Sequence, residues 1–232
     1  MKLFTFPYAF GTDGVYYELE KELSHKINVE NMNYPGHGKR IQDKLLYSLE
    51  EIASDAINTI KTTNEDYALL GYSMGAKLCC EIVRQLQGTC YRQPKHLFLL
   101  ASPPPSKNER ISKNDEIGLQ EACLILGKMG NTPKEILESK EFMEFFHPIV
   151  QADAKVLGSY YYSEWPFQTL DIPATIISGH QDNAEENEKA WKTFFPTDAP
   201  CDFLRFDGDH FFLFEQKENV SLLKEVILSK LF

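Results

Sequence analysis

The sequence Gly71-Tyr72-Ser73-Met74-Gly75 lies between a short apolar run, Tyr67 to Leu70, and a segment from Ala76 to Leu86 whose apolar residues recur at helical spacing. A serine flanked by two glycines, between a strand and a helix, is typical of a sharp turn that exposes the hydroxyl above a sheet edge. Glycine suits both flanks because side chains would collide across so tight a turn. We therefore predict that Ser73 is a nucleophile. The Met74 N–H is a candidate oxyanion donor because it lies at the positive end of the helix dipole.

Strand-like and helix-like segments alternate along the chain on both sides of this turn. The predicted strands are residues 2–6, 27–33, 67–70, 96–101, 172–177 and 202–206. The predicted helices are residues 13–23, 48–60, 76–86, 186–195 and 217–231. Thr12 or Asp13 can cap the first helix, and Ser48 and Glu51 have the spacing of a capping box. This alternation predicts an α/β fold with a mostly parallel central sheet that is flanked by helices.

One domain spanning residues 1–232 is expected, because a single core is sufficient at this length. Its middle part breaks the alternation, since helical periodicity continues there without a clear strand. We predict a helical insertion over approximately residues 104–170, which is either a packed subdomain or a lid over the active site; a serine nucleophile favours the lid. The segments that we single out within it are residues 115–129, 133–137 and 142–162.

A serine nucleophile needs a general base, and His210 is the candidate. It follows the last predicted strand and the turn Asp207-Gly208-Asp209, where the order serine, acid, histidine places the base. The phenylalanines that follow it indicate a fixed, partly buried loop. We expect the other five histidines on the surface, in loops or in the insertion: His25, His37, His96, His147 and His180.

The candidate acid is Asp182. It lies in Gly179-His180-Gln181-Asp182, just past a predicted strand and between the serine and the histidine in sequence. Its carboxylate would orient His210 and stabilise the imidazolium. Asp207 and Asp209, which belong to the histidine's own turn, and Asp153, in the insertion, remain alternatives.

A second oxyanion donor is expected in the loop after the first strand, Phe6-Pro7-Tyr8-Ala9-Phe10-Gly11. This loop lacks the HGGG sequence of many lipases. We predict that the backbone N–H of Ala9, or failing that the N–H of Phe10, is this donor.

Composition and charge exclude several classes of protein. The chain is 43% hydrophobic and 25% charged, as in ordinary globular proteins, and its formal net charge of -10 disfavours nucleic acid as a partner. No apolar run approaches the roughly 20 residues of a membrane span, and the run Leu3 to Phe6 is too short for a signal peptide. The five cysteines show no CxxC spacing. We expect a cytoplasmic protein with no metal site and no membrane contact.

Several separated motifs, in this order along the chain, make the sequence similar to a known family. They are Phe6-Pro7-Tyr8-Ala9, Tyr34-Pro35-Gly36-x-Gly38-x-Arg40, the Ser73 turn, His147-Pro148 with Gln151-Ala152-Asp153 and Tyr160, and Gly208-Asp209-His210-Phe211-Phe212. Together they resemble the type II thioesterases, the free-standing editing hydrolases of nonribosomal peptide and polyketide synthesis. The resemblance implies an α/β-hydrolase fold with a helical lid.

The resemblance also implies a function. Ser73, Asp182 and His210 would form the catalytic triad, with Met74 and Ala9 as oxyanion donors. The substrate would be an acyl group on the phosphopantetheine arm of an acyl or peptidyl carrier protein, and no cofactor would be required. Carrier proteins are generally acidic, so that docking on this acidic chain would need apolar contacts or a local patch such as Lys39, Arg40 or Arg110.

Three residues depart from the family pattern. Tyr72 stands where the family usually has histidine, and Phe10 and Asp209 stand where it usually has glycine. We expect the bulky Phe10, beside an oxyanion donor, to narrow the acyl pocket. Two other functions remain open, a small-molecule esterase or lipase and a catalytically silent binding protein on the same scaffold.

Overall fold

The computed structural model describes residues 1–104, 118, 120, 122, 124, 134–159, 172–195 and 200–232. Within this part of the chain a parallel six-stranded sheet has the strand order β2-β1-β3-β4-β5-β6. The strands are β1 (Lys2–Phe6), β2 (Asn28–Asn31), β3 (Tyr67–Tyr72), β4 (Leu97–Leu100), β5 (Ala174–Gly179) and β6 (Cys201–Phe206). All six predicted strands are therefore confirmed: β1 has the predicted bounds, and the other five have shifted ends.

Helices follow the strands as the sequence predicts. Their bounds are α1 (Tyr17–Leu23), α2 (Leu49–Ile60), α3 (Met74–Leu86), α4 (Lys134–Leu137), α5 (Lys140–Ser159), α6 (Ala184–Phe194), α7 (Phe212–Glu215) and α8 (Lys217–Leu231). The predicted helix 13–23 begins as a 3-10 turn, Asp13–Tyr16, and the Thr12 side chain makes no capping hydrogen bond there. The four-residue α7 was not predicted, because a single turn is too short to show a period.

Two apolar clusters lie on opposite faces of the sheet, and β3 shows why. Tyr67 and Leu69 contact the cluster that includes α2 and α3, whereas Ala68, Leu70 and Tyr72 contact the cluster with α1 and α8. Successive side chains of a strand point to opposite faces, so a strand that is apolar throughout must be covered twice. Every residue of β3 is buried, and this strand leads directly into the Ser73 turn.

The described part of the expected insertion lies between β4 and β5. Its long helix α5 contains Pro148 and buries Met143, Val150 and Val156, of which Val156 joins the cluster of α2 and α3. Most of the predicted helix 115–129, and Tyr160, fall outside the described residues; residues 120, 122 and 124 are helical, and the Ala122 N–H donates to the Gly118 carbonyl at 2.9 Å. In the part of the chain that the structure describes, none of the helices combines the length and the apolar character needed to span a membrane.

Candidate active site

Ser73 stands in a strained turn between β3 and α3. Its backbone has φ 52° and ψ -110°, a region that side chains rarely occupy, and its N–H donates to the Leu100 carbonyl at 2.8 Å. A Cβ on Gly71 would lie 2.1 Å from the Gly75 carbonyl oxygen, and a Cβ on Gly75 would lie 2.1 Å from the Phe6 carbonyl oxygen. Both glycines are therefore required by close backbone approach, as predicted.

The structure brings the three predicted side chains together. Ser73 Oγ lies 3.2 Å from His210 Nε2, and His210 Nδ1 lies 2.8 Å from Asp182 Oδ2. Because a carboxylate only accepts hydrogen bonds, the imidazole donates from Nδ1 and presents the Nε2 lone pair to the serine hydroxyl. This tautomer can take the hydroxyl proton when Ser73 attacks an electrophile.

Backbone hydrogen bonds fix the two loops that carry the acid and the histidine. The His180 N–H donates to the Phe206 carbonyl at 2.8 Å, and the Gln181 N–H donates to the Gly208 carbonyl at 3.0 Å. These bonds continue the β5–β6 ladder, whose register ends with Gly179 opposite Phe206. The loops after β5 and β6 are thus held side by side.

The alternative acids have other partners. Asp209 accepts a hydrogen bond from the Phe211 N–H at 2.8 Å, and Asp207 Oδ1 lies 3.8 Å from His180 Nε2. Asp153 Oδ2 accepts a hydrogen bond from the Phe10 N–H at 2.6 Å and lies 3.2 Å from His37 Nε2. Of these candidates, Asp182 is the one that the structure pairs with His210.

The loop after β1 lies against the Ser73 turn, as an oxyanion site requires. A Cβ on Gly75 would also lie 2.8 Å from the Pro7 carbonyl oxygen, which shows how closely the two segments approach. Met74 is the first residue of α3. The Phe10 N–H is already bound by Asp153, whereas among the described residues no acceptor binds the Ala9 N–H. The geometry therefore favours Ala9 over Phe10 as the second donor.

A small apolar cavity of about 290 Å³ adjoins this loop. It lies between the loop, the segment around His37 and the aromatic face of α5. Among its lining residues are Phe10, His37, Ile41, Phe145, Phe146 and Ile149. Phe10 is therefore one of the walls of this apolar space, whereas Ser73, Met74 and Ala9 are not among its lining residues.

Two histidines are more deeply buried than the sequence suggested. His37 and His96 are 3% and 4% exposed, although we expected such histidines on the surface, in loops or in the insertion. His37 does lie in a loop, but α5 covers it and places Asp153 Oδ2 3.2 Å from its Nε2. His96 Nε2 lies 2.8 Å from Thr175 Oγ1. The Tyr-Pro-Gly-His-Gly motif marked the loop that contains His37. It could not indicate the partner of His37, because Asp153 is 116 residues away in sequence.

The fold and the Ser73–His210–Asp182 arrangement define a serine hydrolase of the α/β-hydrolase fold. The chain belongs to the thioesterase domain family, whose model matches residues 1–228. It is a thioesterase, so the resemblance noted in the sequence is confirmed.

Individual relatives cover almost the whole chain. The gramicidin S biosynthesis protein GrsT of Aneurinibacillus migulanus is 31% identical over 225 residues, which are 94% of this chain and 84% of that protein. The medium-chain S-acyl fatty acid synthase thioesterase of Homo sapiens is 26% identical over 231 residues, 98% and 86% of the two chains. The crystal structure of ClbQ, from the colibactin NRPS/PKS pathway, superimposes with a TM-score of 0.83 at 25% identity and covers 99% of this chain and 97% of that one.

Proposed function

We propose that this thioesterase releases acyl groups from the phosphopantetheine arms of carrier proteins, as an editing enzyme of nonribosomal peptide or polyketide synthesis. The observation that carries the proposal is the hydrogen-bonded series Ser73–His210–Asp182 in a chain of the thioesterase family. Relatives named for gramicidin S biosynthesis and for the colibactin NRPS/PKS pathway support the biosynthetic setting.

In the proposed mechanism, Ser73 Oγ attacks the thioester carbonyl while His210 Nε2 takes its proton. The Asp182 carboxylate holds the imidazole and stabilises the imidazolium. The N–H groups of Met74 and Ala9 stabilise the tetrahedral oxyanion. The carbon–sulfur bond then breaks, and His210 returns the proton to the leaving thiolate. A water molecule, deprotonated by the same histidine, hydrolyses the acyl-serine to a carboxylic acid and free enzyme.

We propose a carrier protein as the partner. The exposed residues favour docking through apolar contacts over docking through free positive charge. Arg40 binds Asp55 in two hydrogen bonds and Asp43 in a third, so little of its charge is free for a partner. Lys39 is 82% exposed but pairs with Asp13, and Arg110 falls outside the described residues. Phe145, exposed on α5 beside the cavity, is an apolar residue that could meet the carrier or its acyl arm.

We further propose that residues 1–232 form one domain and that the insertion at about 104–170 acts as a lid. The support is that the aromatic face of α5 closes one side of the cavity while its buried face packs beside α2.

A cytoplasmic location is proposed from the free thiols, which among the described cysteines are Cys79, Cys80, Cys90 and Cys201.

The test is hydrolysis of an acyl-pantetheine-loaded carrier protein by the wild type and by Ser73→Ala. We expect Ser73→Ala to lower kcat by on the order of 10⁴-fold or more, because no neighbouring side chain can attack the thioester in place of Ser73. Ser54→Ala, at an exposed position of α2, should keep wild-type kcat. The proposal fails if the wild-type enzyme leaves the loaded carrier intact and Ser73→Ala behaves identically.

A second candidate is hydrolysis of fatty acyl groups or simple esters with the same residues. The similarity to the human medium-chain fatty acid synthase thioesterase favours a fatty acyl thioester as the substrate of this second activity. Comparing kcat/KM for matched oxyesters and thioesters separates an esterase from a thioesterase. Rapid labelling of Ser73 by a fluorophosphonate would exclude a catalytically silent binding protein.

A further inference from the structure

A second histidine–aspartate pair lies apart from Ser73. The side chains of His37 and Asp153 are 3% and 1% exposed, and His37 Nε2 lies 3.2 Å from Asp153 Oδ2. The same oxygen accepts a hydrogen bond from the Phe10 N–H at 2.6 Å. One buried carboxylate oxygen on α5 therefore binds both the loop after β1 and the loop that contains His37.

The partners of His37 define its charge. Its Nδ1 lies 3.1 Å from the Pro35 carbonyl oxygen, which can only accept a hydrogen bond. Its Nε2 faces Asp153 Oδ2, which is also bound by an amide donor and hence acts as an acceptor. An imidazole between two acceptors satisfies both of them when it donates from both nitrogens, so the geometry favours an imidazolium that is paired with the buried Asp153 carboxylate.

The electrostatic environment agrees with this assignment. Burial alone would lower the pKa of His37, but the hydrogen bond and the charge of Asp153 outweigh burial, so the pKa lies above its ordinary value of 6.5. Tyr34, whose ring packs edge-on against His37, stays neutral because burial raises its pKa well above 10.0. The buried carboxylate is thus compensated by His37.

Phe10 has a strained backbone that such a restraint can hold. Its φ is 69°, a left-handed conformation that suits glycine and strains a phenylalanine. The N–H bound by Asp153 belongs to the peptide group that joins Ala9 to Phe10. A flip of this peptide would turn the Ala9 carbonyl toward the carboxylate, which the negative charge opposes. The contact therefore holds both the φ of Phe10 and the adjoining Ala9 in one orientation.

We infer that Asp153 and His37 are positioning residues. They hold the Ala9–Phe10 peptide and, through the Ala9 Cα that it shares with the Tyr8–Ala9 peptide, they keep the Ala9 N–H facing the oxyanion formed at Ser73. This inference rests on the proposed roles of Ser73 and Ala9. It also makes the oxyanion site depend on the placement of α5, because the acceptor for the Phe10 N–H is 143 residues away on that helix. A displacement of α5 would remove the restraint while leaving the Ser73–His210–Asp182 contacts in place.

The primary test is Asp153→Asn, with Glu144→Gln, an exposed carboxylate on the same helix, as the matched control. The neutral amide removes the negative charge that pairs with His37 and opposes a flip of the Ala9–Phe10 peptide, even where its oxygen still accepts from the Phe10 N–H. We expect kcat for an acyl-pantetheine thioester to fall on the order of tenfold to a hundredfold, because loss of a whole oxyanion donor costs about 10²–10³-fold. KM should stay within about threefold of wild type, since the restraint acts on the transition state.

A second measurement does not depend on the natural substrate. The rate constant for fluorophosphonate labelling of Ser73 also reports stabilisation of charge on an oxygen beside the nucleophile. It should fall in parallel with kcat in Asp153→Asn and stay unchanged in Glu144→Gln. If the wild type is labelled but hydrolyses no thioester, the proposed function fails while the labelling rates still test the positioning role.

Variants of His37 test the inference even if Asp153→Asn folds poorly. The His37→Gln amide can still donate to Asp153, whereas His37→Leu cannot. We expect His37→Gln to retain labelling and kcat to within about threefold, and His37→Leu to lose on the order of tenfold or more. The inference is overturned if folded Asp153→Asn keeps both rates within twofold of wild type, or if His37→Gln and His37→Leu have equal rates.

Discussion

At the scale of single residues, Phe10 combines a strained backbone with a place in the wall of the apolar cavity. Replacing it by glycine should relieve the strain, keep the N–H that Asp153 binds and enlarge the cavity. We expect the ratio of kcat/KM for octanoyl over acetyl thioesters to rise by about tenfold or more in Phe10→Gly, because each buried methylene contributes about 1–3 kcal/mol of discrimination. Steady-state kinetics on a chain-length series measure this ratio. An unchanged ratio would show that Phe10 does not limit the acyl chain.

Tyr72 replaces the histidine that commonly precedes the nucleophile in this family, and its hydroxyl donates to the His210 carbonyl at 2.6 Å. Tyr72→Phe should lower the free energy of unfolding by about 1 kcal/mol, because a partly buried carbonyl loses its donor. A several-fold decrease in kcat should accompany this loss, since the bond also fixes the loop of the base. Urea unfolding and kcat are the measurements. Tyr17→Phe, at an exposed tyrosine, is the control and should change neither.

At the scale of elements, the start of α2 follows the capping rule that the sequence showed. Ser48 Oγ accepts a hydrogen bond from the Glu51 N–H at 3.2 Å, although the Glu51 carboxylate returns to the Tyr47 N–H rather than to that of Ser48. We expect Ser48→Ala to destabilise the protein by about 1 kcal/mol and Ser48→Gly by only a few tenths. Chemical denaturation with unchanged kcat would confirm a local effect. Equal losses in both variants would contradict the capping role.

Local signals predicted most of the other elements, but not all of their limits. α8 begins and ends where its helical period indicated, because its apolar positions recur over several turns. β2 is shorter than the predicted strand 27–33, since it pairs with β1 only from Asn28 to Asn31. α3 starts at Met74, in agreement with the predicted position of the Met74 N–H at the start of the helix, although the apolar period begins only at Ala76. Ends of elements depend on tertiary partners, which a period in the sequence does not contain.

At the scale of the whole molecule, the parallel sheet assembles the site. The loops after β3, β5 and β6 lie at the same edge because all six strands run in one direction. Ser73 and His210, which are 137 residues apart in sequence, therefore meet at hydrogen-bond distance. The order of the three residues along the chain and their places after strands were sufficient to predict this meeting.

The pH dependence of stability also belongs to the whole molecule. Burial, with a smaller effect of Lys230, lowers the pKa of His96 from 6.5 to about 4. The unfolded chain then binds a proton at His96 between these pH values and the folded chain does not, so stability decreases as the pH falls below 6.5. The contribution of His37 to the pH dependence of stability has the opposite sign. Its pKa is raised in the folded chain, so it adds stability that is lost as the pH rises through the folded pKa.

His96→Gln isolates the first of these contributions. The difference in unfolding free energy between wild type and His96→Gln should change by about 2 kcal/mol in favour of the variant when the pH is lowered from 7.5 to 5. His25→Gln, at an exposed histidine, provides the control. Urea unfolding at both pH values measures the difference. A difference that does not vary with pH would contradict a depressed pKa at His96.

The alternation of strands and helices, the Ser73 turn and the candidates Asp182 and His210 could all be predicted from the sequence, because each depends on periodicity or on a short local motif. The buried pair of His37 and Asp153 and the hydrogen bond to the Phe10 N–H are visible only in the folded chain. The sequence leaves Asp153 as an alternative partner of His210, because nothing near it in sequence indicates that it binds His37 and Phe10. Contacts between residues more than a hundred positions apart depend on how helices pack on the sheet, and that packing is set by the whole core.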